Sequence, residues 1–261
     1  MTDDLSLIRE AALAGGALAL NCAEAGLSIR TKSDGTPVTD ADEAVDALLF
    51  RRLMSARPDY GWLSEETADD PARLRTERQF IVDPIDGTRA YMAGKPWYVV
   101  SIAVVEAGQT IAAVLYAPAL GELFEARLGQ GATLNGARIS ASAATELEGA
   151  AMLGDAAMFR DPRWPIPWPP MRVESRNAIA YRMALVACGA FDAAVALRAK
   201  QDWDMAAATL ICMEAGAVVS DHRGRPFAFN TTKARVPSVI CAAPGLHRLI
   251  LTRTELIDLP D

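Results

Sequence analysis

Between Asp40 and Met54 the chain reads DADEAVDALLFRRLM, with apolar side chains at Ala41, Val45, Leu48, Leu49 and Leu53. That spacing of three and four predicts a helix with one buried face. Leu5 to about Ala25, around the run AALAGGALAL, predicts another. The pattern then changes. YGWLSEE and RQFIVD read as short strands, the first ending in acid, and WYVVSIAVVEAG and QTIAAVLYAP as two long β-rich runs that meet at Gly108 in a hairpin. GELFEARLGQGATLNGARISAS continues the strands, with Asn135-Gly136 marking a tight turn. Past Ala141 the chain predicts a strand in LEGAAMLGD and a loop in RDPRWPIPWPPMR, residues 160–172, whose prolines exclude regular helix or interior sheet. A helix in NAIAYRMALVACG, a strand in AFDAAVAL and a helix in DWDMAAATLICMEAG, closed by Gly216, come next. AVVSD and PSVICAAP read as further strands, and GLHRLILTRTEL as a last helix. The expected class is α/β: an α+β part over residues 1–145 and an α/β part over 146–261, with a soft boundary near 141–150.

Composition narrows this picture. A chain of 261 residues, 51% hydrophobic and 23% charged, is globular and can bury a large core. Its net charge of −7 argues against non-specific nucleic-acid binding, which needs Lys and Arg against phosphates, yet leaves room for a small anionic substrate. Cys22, Cys188, Cys212 and Cys241 are far apart, with no CxxC and no histidine cluster, so neither a zinc site nor a disulfide framework is expected. Ala11–Leu20 follows Asp3, Asp4 and Glu10 rather than a basic segment and is too short to span a bilayer, so the expectation is a cytoplasmic protein with no membrane partner.

The chemistry concentrates in FIVDPIDGTRAY, Phe80 to Tyr91, where an apolar strand runs into Asp83 and Asp86. Pro84 and Gly87 are also ordinary turn residues. Two further acidic places match it: Glu65 and Glu66 at the end of a predicted strand, and Asp204 at the start of a predicted helix. Each has a plain structural reading too, a solvated pair for the glutamates and an N-cap for Asp204 or Asp202. Together they fit acids placed at the ends of separate elements. Convergence of Glu65, Asp83, Asp86 and Asp204 without partners would destabilise the fold by repulsion. A hard divalent cation with oxygen ligands, Mg2+ above all, removes that difficulty. After Asp86 the chain is expected to turn into a helix, where free N–H groups suit a phosphate oxygen, Gly87 permits close approach and the Thr88 hydroxyl could position a water. Those are the parts of a metal-assisted phosphate hydrolase.

DPIDGT, with SEE upstream and WDMAAATLICMEAG downstream, resembles the inositol monophosphatase family of Mg2+-dependent, lithium-sensitive phosphatases. KSDGTPVTDADEAVD and GELFEARLGQGATLNGARI extend the resemblance over nearly the whole chain. It implies an α/β/α/β/α layered sandwich, with a mixed or antiparallel sheet in the first half and a smaller one in the second, and usually a homodimer. It implies that Glu65, Asp83, the Ile85 carbonyl, Asp86 and Asp204 hold two or three Mg2+ ions. The Gly87 and Thr88 amides would hold the phosphate, within a substrate site formed by Glu65, Ile85, Asp86, Gly87, Thr88 and Asp204. Thr88 with Asp42, and Glu65, would orient and activate the attacking water. Lys32 matches a basic position near the phosphate, though by itself it reads as a solvated lysine.

The rest of the substrate is less legible. Inositol-specific members carry a glutamate shortly before the Trp-Asp motif, whereas this chain has no acid between Asp192 and Asp202 and offers Arg198 and Lys200. DGTRAY is nearer the form of 3'(2'),5'-bisphosphate nucleotidases and of histidinol-phosphatases than the DGTTNF type, and WDMAAA agrees better with the nucleotidases. The leading expectation is therefore a 3'(2'),5'-bisphosphate nucleotidase acting on a small phosphorylated metabolite. Inositol-1-phosphatase and then histidinol-phosphatase follow, and a non-catalytic binding or regulatory protein on the same fold is the alternative of another class.

Overall fold

The computed structural model describes residues 3–32 and 35–259. The chain opens with α1 (Asp4–Ala25), a small antiparallel pair of β1 (Ile29–Thr31) and β2 (Pro37–Thr39), and α2 (Asp40–Ala56). Next come β3 (Gly61–Ser64), a 3-10 turn at Pro71–Arg75, β4 (Arg78–Asp86) and the single-turn α3 (Thr88–Met92). The hairpins follow as β5 (Val99–Glu106), β6 (Gln109–Ala117), β7 (Glu122–Arg127), β8 (Ala132–Leu134) and β9 (Ala137–Arg138). These strands form one seven-stranded sheet in the order β3-β4-β5-β6-β7-β8-β9, antiparallel except for the β3–β4 pair.

The second half gives β10 (Ala151–Leu153), α4 (Ala156–Phe159), β11 (Arg172–Glu174), α5 (Ile179–Ala187), β12 (Ala193–Ala196) and β13 (Lys200–Gln201). It ends with α6 (Asp202–Glu214), β14 (Val218–Ser220), β15 (Arg235–Val236), β16 (Val239–Ala242) and α7 (Pro244–Thr254). Five of these strands build a mixed sheet ordered β11-β10-β12-β16-β14, and β13 pairs with β15 apart from it. The elements read from sequence periodicity are present. The short ones, β1, β2, α4, β11, β13 and β15, escape it because two to four residues carry no period, and β11 takes in Arg172, the last residue of the expected loop.

Both faces of the large sheet are buried, which explains why its strands read as continuous apolar runs. Phe80, Val82, Val100, Ile102 and Val104 face Ile8, Val45, Leu49 and Leu53 of α1 and α2. Ile81, Val99, Ala103 and Val105 face the other way, into a cluster with Met183, Ala184, Ala206, Leu210 and Cys241. That cluster crosses residue 145, because α5 and α6 are packed between the two sheets. A third cluster seats Leu246 and Ile250 of α7 on Met152, Val195 and Ile240. The layers are therefore α1 and α2, the large sheet, α5 and α6, the small sheet, and α7. The apolar segment Ala11–Leu20 is the middle of α1, a helix of 22 residues that is long and apolar enough to cross a membrane. Here Ile8, Ala11, Ala12, Gly15, Gly16 and Ala19 are buried within the fold. A Cβ on Gly16 would sit 2.5 Å from the Tyr116 ring, so the glycine sets how closely α1 approaches β6.

Candidate metal centre and active site

Residues three apart on a regular strand point to opposite faces. Asp83 and Asp86 escape that rule. Asp83 lies opposite Ser101 and Asp86 opposite Val99, so β4 gains one residue against β5 between them. This bulge turns both carboxylates to the same side, toward α5 and α6, and accommodates Pro84, which has no N–H for the ladder. The expected turn is thus a bulge inside a strand that runs on to Asp86. The Ile85 N–H donates to Asp83 Oδ1 at 2.9 Å and fixes that carboxylate.

Two helices complete the site. The first turn of α5 presents the Ala180 N–H, which donates to Asp86 Oδ2 at 2.7 Å. Helix α6 supplies Asp204 at its third position, where Oδ2 accepts the Gln201 N–H at 3.1 Å. The N-cap is Gln201, so neither Asp202 nor Asp204 is the cap that the sequence suggests. Asp202 instead anchors the helix start by accepting the Asn230 N–H at 3.0 Å. The start is held on the large sheet by Ser101 Oγ, which donates to the Trp203 carbonyl at 3.2 Å.

One oxygen each of Asp83, Asp86 and Asp204 lies within 4.8 Å of the others. Asp83 and Asp86 are buried, and Asp204 is half-buried. Burial, followed by the charges of Glu65, Asp86 and Asp204, pushes the Asp83 carboxyl well above the usual range. Burial and the Asp204 charge push Asp86 up to about 8, eased by the Ala180 N–H and Lys200. Burial raises Asp204 to about 6, with Lys200 opposing it. Asp83 Oδ2, though buried, has no hydrogen-bond partner among the described residues. An oxygen-only set of crowded carboxylates with an orphaned acceptor fits a hard divalent cation.

Glu65 follows β3 and stands near enough to raise Asp83, but its Oε1 is held by Lys32 Nζ at 2.9 Å. The same amine donates to Glu66 Oε1 at 2.7 Å. Lys32 is therefore engaged rather than solvated. Burial raises Glu66 to about 7, against the pull of Lys32. Asp42 sits at the third position of α2, where Oδ2 accepts from the Thr39 N–H and hydroxyl at 2.8 and 2.6 Å. Its Oδ1 accepts the Thr88 hydroxyl at 3.1 Å, and burial raises its carboxyl. Thr88 Oγ1 also lies 3.3 Å from the Ile85 carbonyl. Glu65, Gly87, Thr88 and Arg89 border a cleft of about 170 Å³. Gly87 has φ 102°, and a Cβ there would lie 2.9 Å from the Trp97 carbonyl oxygen.

The structure thus gathers Asp83, Asp86 and Asp204 into one cluster, pairs Thr88 with Asp42 beside it, and turns Glu65 toward Lys32. Sequence reading missed Arg182 and Asp155, whose charges interact across the space next to Asp86. A signal existed: Arg182 is the one charged residue in IAYRMALVA, the whole of α5.

Comparison with known proteins places this geometry in context. The model of the inositol monophosphatase family matches residues 3–257. A histidinol-phosphatase of Chlorobaculum parvum is 35% identical over 231 residues, 86% of this chain and 88% of that protein. An inositol-1-monophosphatase of Mesorhizobium japonicum is 32% identical over 84% of this chain and 85% of its own. The crystal structure of the extragenic suppressor protein suhB from Bartonella henselae superposes with a TM-score of 0.83 at 27% identity, covering 96% of this chain and 98% of that one.

Proposed function

The chain belongs to the inositol monophosphatase family and is a phosphatase, and from that premise we propose that it hydrolyses phosphate monoesters with Mg2+ and without a covalent intermediate. The observation that carries this reading is the crowded, mutually repelling cluster of Asp83, Asp86 and Asp204. Those three carboxylates, with Glu65 and the Ile85 carbonyl, would hold the metal. Bound Mg2+ would neutralise the cluster and polarise the phosphate ester. The N–H groups of Gly87 and Thr88 hold the phosphate oxygens, and Gly87 leaves the backbone bare for close approach. The Thr88 hydroxyl, donating to Asp42, keeps its lone pairs free to orient a water toward phosphorus. Asp42, its proton affinity raised by burial, is suited to accept a proton relayed through Thr88. Water forms the new P–O bond, the ester P–O bond breaks, and the leaving alkoxide takes up a proton.

For the substrate, the leading reading is a nucleoside 3'(2'),5'-bisphosphate, supported by Arg198 and Lys200 and by the lack of an acid between Asp192 and Asp202. The two phosphatases named above carry other substrates in their names, so this reading rests on the chain's own cations. The homodimer and the cytoplasmic setting are expectations of the same standing. The test is phosphate release from adenosine 3',5'-bisphosphate, inositol-1-phosphate and histidinol phosphate, with Mg2+ and with the ion chelated. Metal-dependent release is expected, fastest from the bisphosphate. Release unaffected by chelation would overturn the metal reading, and a preference for either other ester would overturn the substrate.

A further inference from the structure

Beside the metal centre lies a second, larger space. A cavity of about 560 Å³ is lined by Asp155, Asp161, Arg163, Arg182, Arg198 and Lys200, with Met158 and Leu197 among its apolar wall. Asp161 is occupied by Arg163 in a bidentate pair with contacts from 2.5 to 3.1 Å. That leaves three cations facing one carboxylate. Among the described residues, Arg182, Arg198 and Lys200 make no ion pair, and the Asp155 carboxylate accepts only the Ala157 N–H, at 2.8 Å, as the cap of α4.

Arg182 is the most constrained of the three. It is half-buried on α5, its Nε donates to the Arg176 carbonyl, and among the described residues the rest of its guanidinium has no hydrogen-bond partner. A buried guanidinium carries a desolvation cost that a facing anion would repay. It is also anchored to the reaction centre: Ala180, two residues earlier on the same helix, holds Asp86. Lys200 lies four residues before Asp204, and its charge reaches both Asp86 and Asp204. With the cluster neutralised by metal, the positive surplus of this cavity is left for the substrate.

We infer that this cavity is a subsite for a second anionic group on the phosphate ester, and that Arg182 is its specificity-determining residue. The inference rests on the phosphatase reading and extends it: the substrate is an ester carrying a phosphate or carboxylate beyond the phosphate that is cleaved. Arg182, Arg198 and Lys200 line the cavity together, and the Asp155 carboxylate disfavours an anion placed against it.

Matched pairs isolate the second anion. Adenosine 3'-phosphate against adenosine 3',5'-bisphosphate tests a phosphate, and glycerol 3-phosphate against 3-phosphoglycerate tests a carboxylate. The wild type should favour the doubly anionic member of at least one pair. Arg182→Ala should lower kcat/KM for that member by roughly tenfold or more, mainly through KM, while the singly charged partner changes little. Arg182→Lys should recover part of the loss, and Lys200→Ala should act in the same direction if Arg182→Ala does not fold. Calorimetric binding of the four compounds in Mg2+ gives a second readout that needs no turnover. Selective binding of the doubly charged member, weakened in Arg182→Ala, upholds the subsite even if hydrolysis fails. Equal losses on both members, no preference in the wild type, or binding of none of the four would overturn it.

Discussion

Asp83 is where the competition between stability and chemistry is sharpest. Its carboxyl is buried, one oxygen is unpartnered among the described residues, and four neighbouring acids, Glu65, Asp86, Asp204 and Asp42, repel its charge. Asp83→Asn keeps the shape and removes one charge. Turnover should nearly vanish, whereas the metal-free protein should melt higher, by roughly 2–4 °C for each kcal/mol of repulsion relieved. The same residues set a pH dependence. An acid whose pKa rises on folding binds more protons folded than unfolded, so its contribution is fully present below its unfolded pKa and lost as pH rises through the folded one. For the metal-free wild type, Asp86 places that loss between about 4, the ordinary carboxylate value, and about 8. Thermal melts in chelator across that range should show falling Tm, and Asp83→Asn should flatten the slope. A metal-free protein that stabilises with rising pH, or an active Asp83→Asn variant, would remove Asp83 from the cluster's chemistry.

At the level of elements, the joint between β4 and α3 decides the site. The bulge at Pro84-Ile85 aims two carboxylates one way, and Gly87 then redirects the chain into the turn that carries Thr88. Gly87→Ala would combine a left-handed φ with a Cβ against the Trp97 carbonyl oxygen, a backbone atom that cannot rotate aside. Strain of this kind costs about 1–3 kcal/mol. We expect a Tm lower by several degrees together with lost activity. Thr88→Ala, one residue on, should lose activity with a smaller change in Tm, since it removes the hydroxyl and methyl of a half-buried side chain and introduces no backbone strain. Equal Tm for the two variants would show that the joint is not strained by a side chain at residue 87.

For the molecule as a whole, the decisive feature is that α5 and α6 serve two sheets at once. One face of the large sheet, with Ile81, Val99 and Ala103, is covered by helices that lie beyond residue 145. A fragment of residues 1–145 would expose that face to water, at a cost of roughly 25 cal/mol for each Å² of apolar surface. Expressed alone, it should lack a cooperative thermal transition and bind a hydrophobic dye, while the full chain should unfold in one step. Cooperative melting of the fragment would establish residues 1–145 as an independent folding unit.

The sequence by itself determined the helices and long strands, because their apolar periods are set by local geometry. It also determined the acidic positions, because DPIDGT and WDMAAA are contiguous and chemically unusual. Family resemblance associated Thr88 with Asp42, and in the structure the Thr88 hydroxyl donates to Asp42 Oδ1 at 3.1 Å. The sequence did not supply the bulge, since register against β5 is a property of two strands and not of one. Nor did it show that Glu65 is turned to Lys32, or that Arg182 on α5 joins Arg198 and Lys200 around one cavity. Glu65 and Lys32 are 33 residues apart in the chain, and Arg182 meets Arg198 and Lys200 only when α5 and the segment before α6 pack side by side. Periodicity reports which face of an element is buried. Which charges then face one another is decided by the packing of distant elements, and only the tertiary structure contains it.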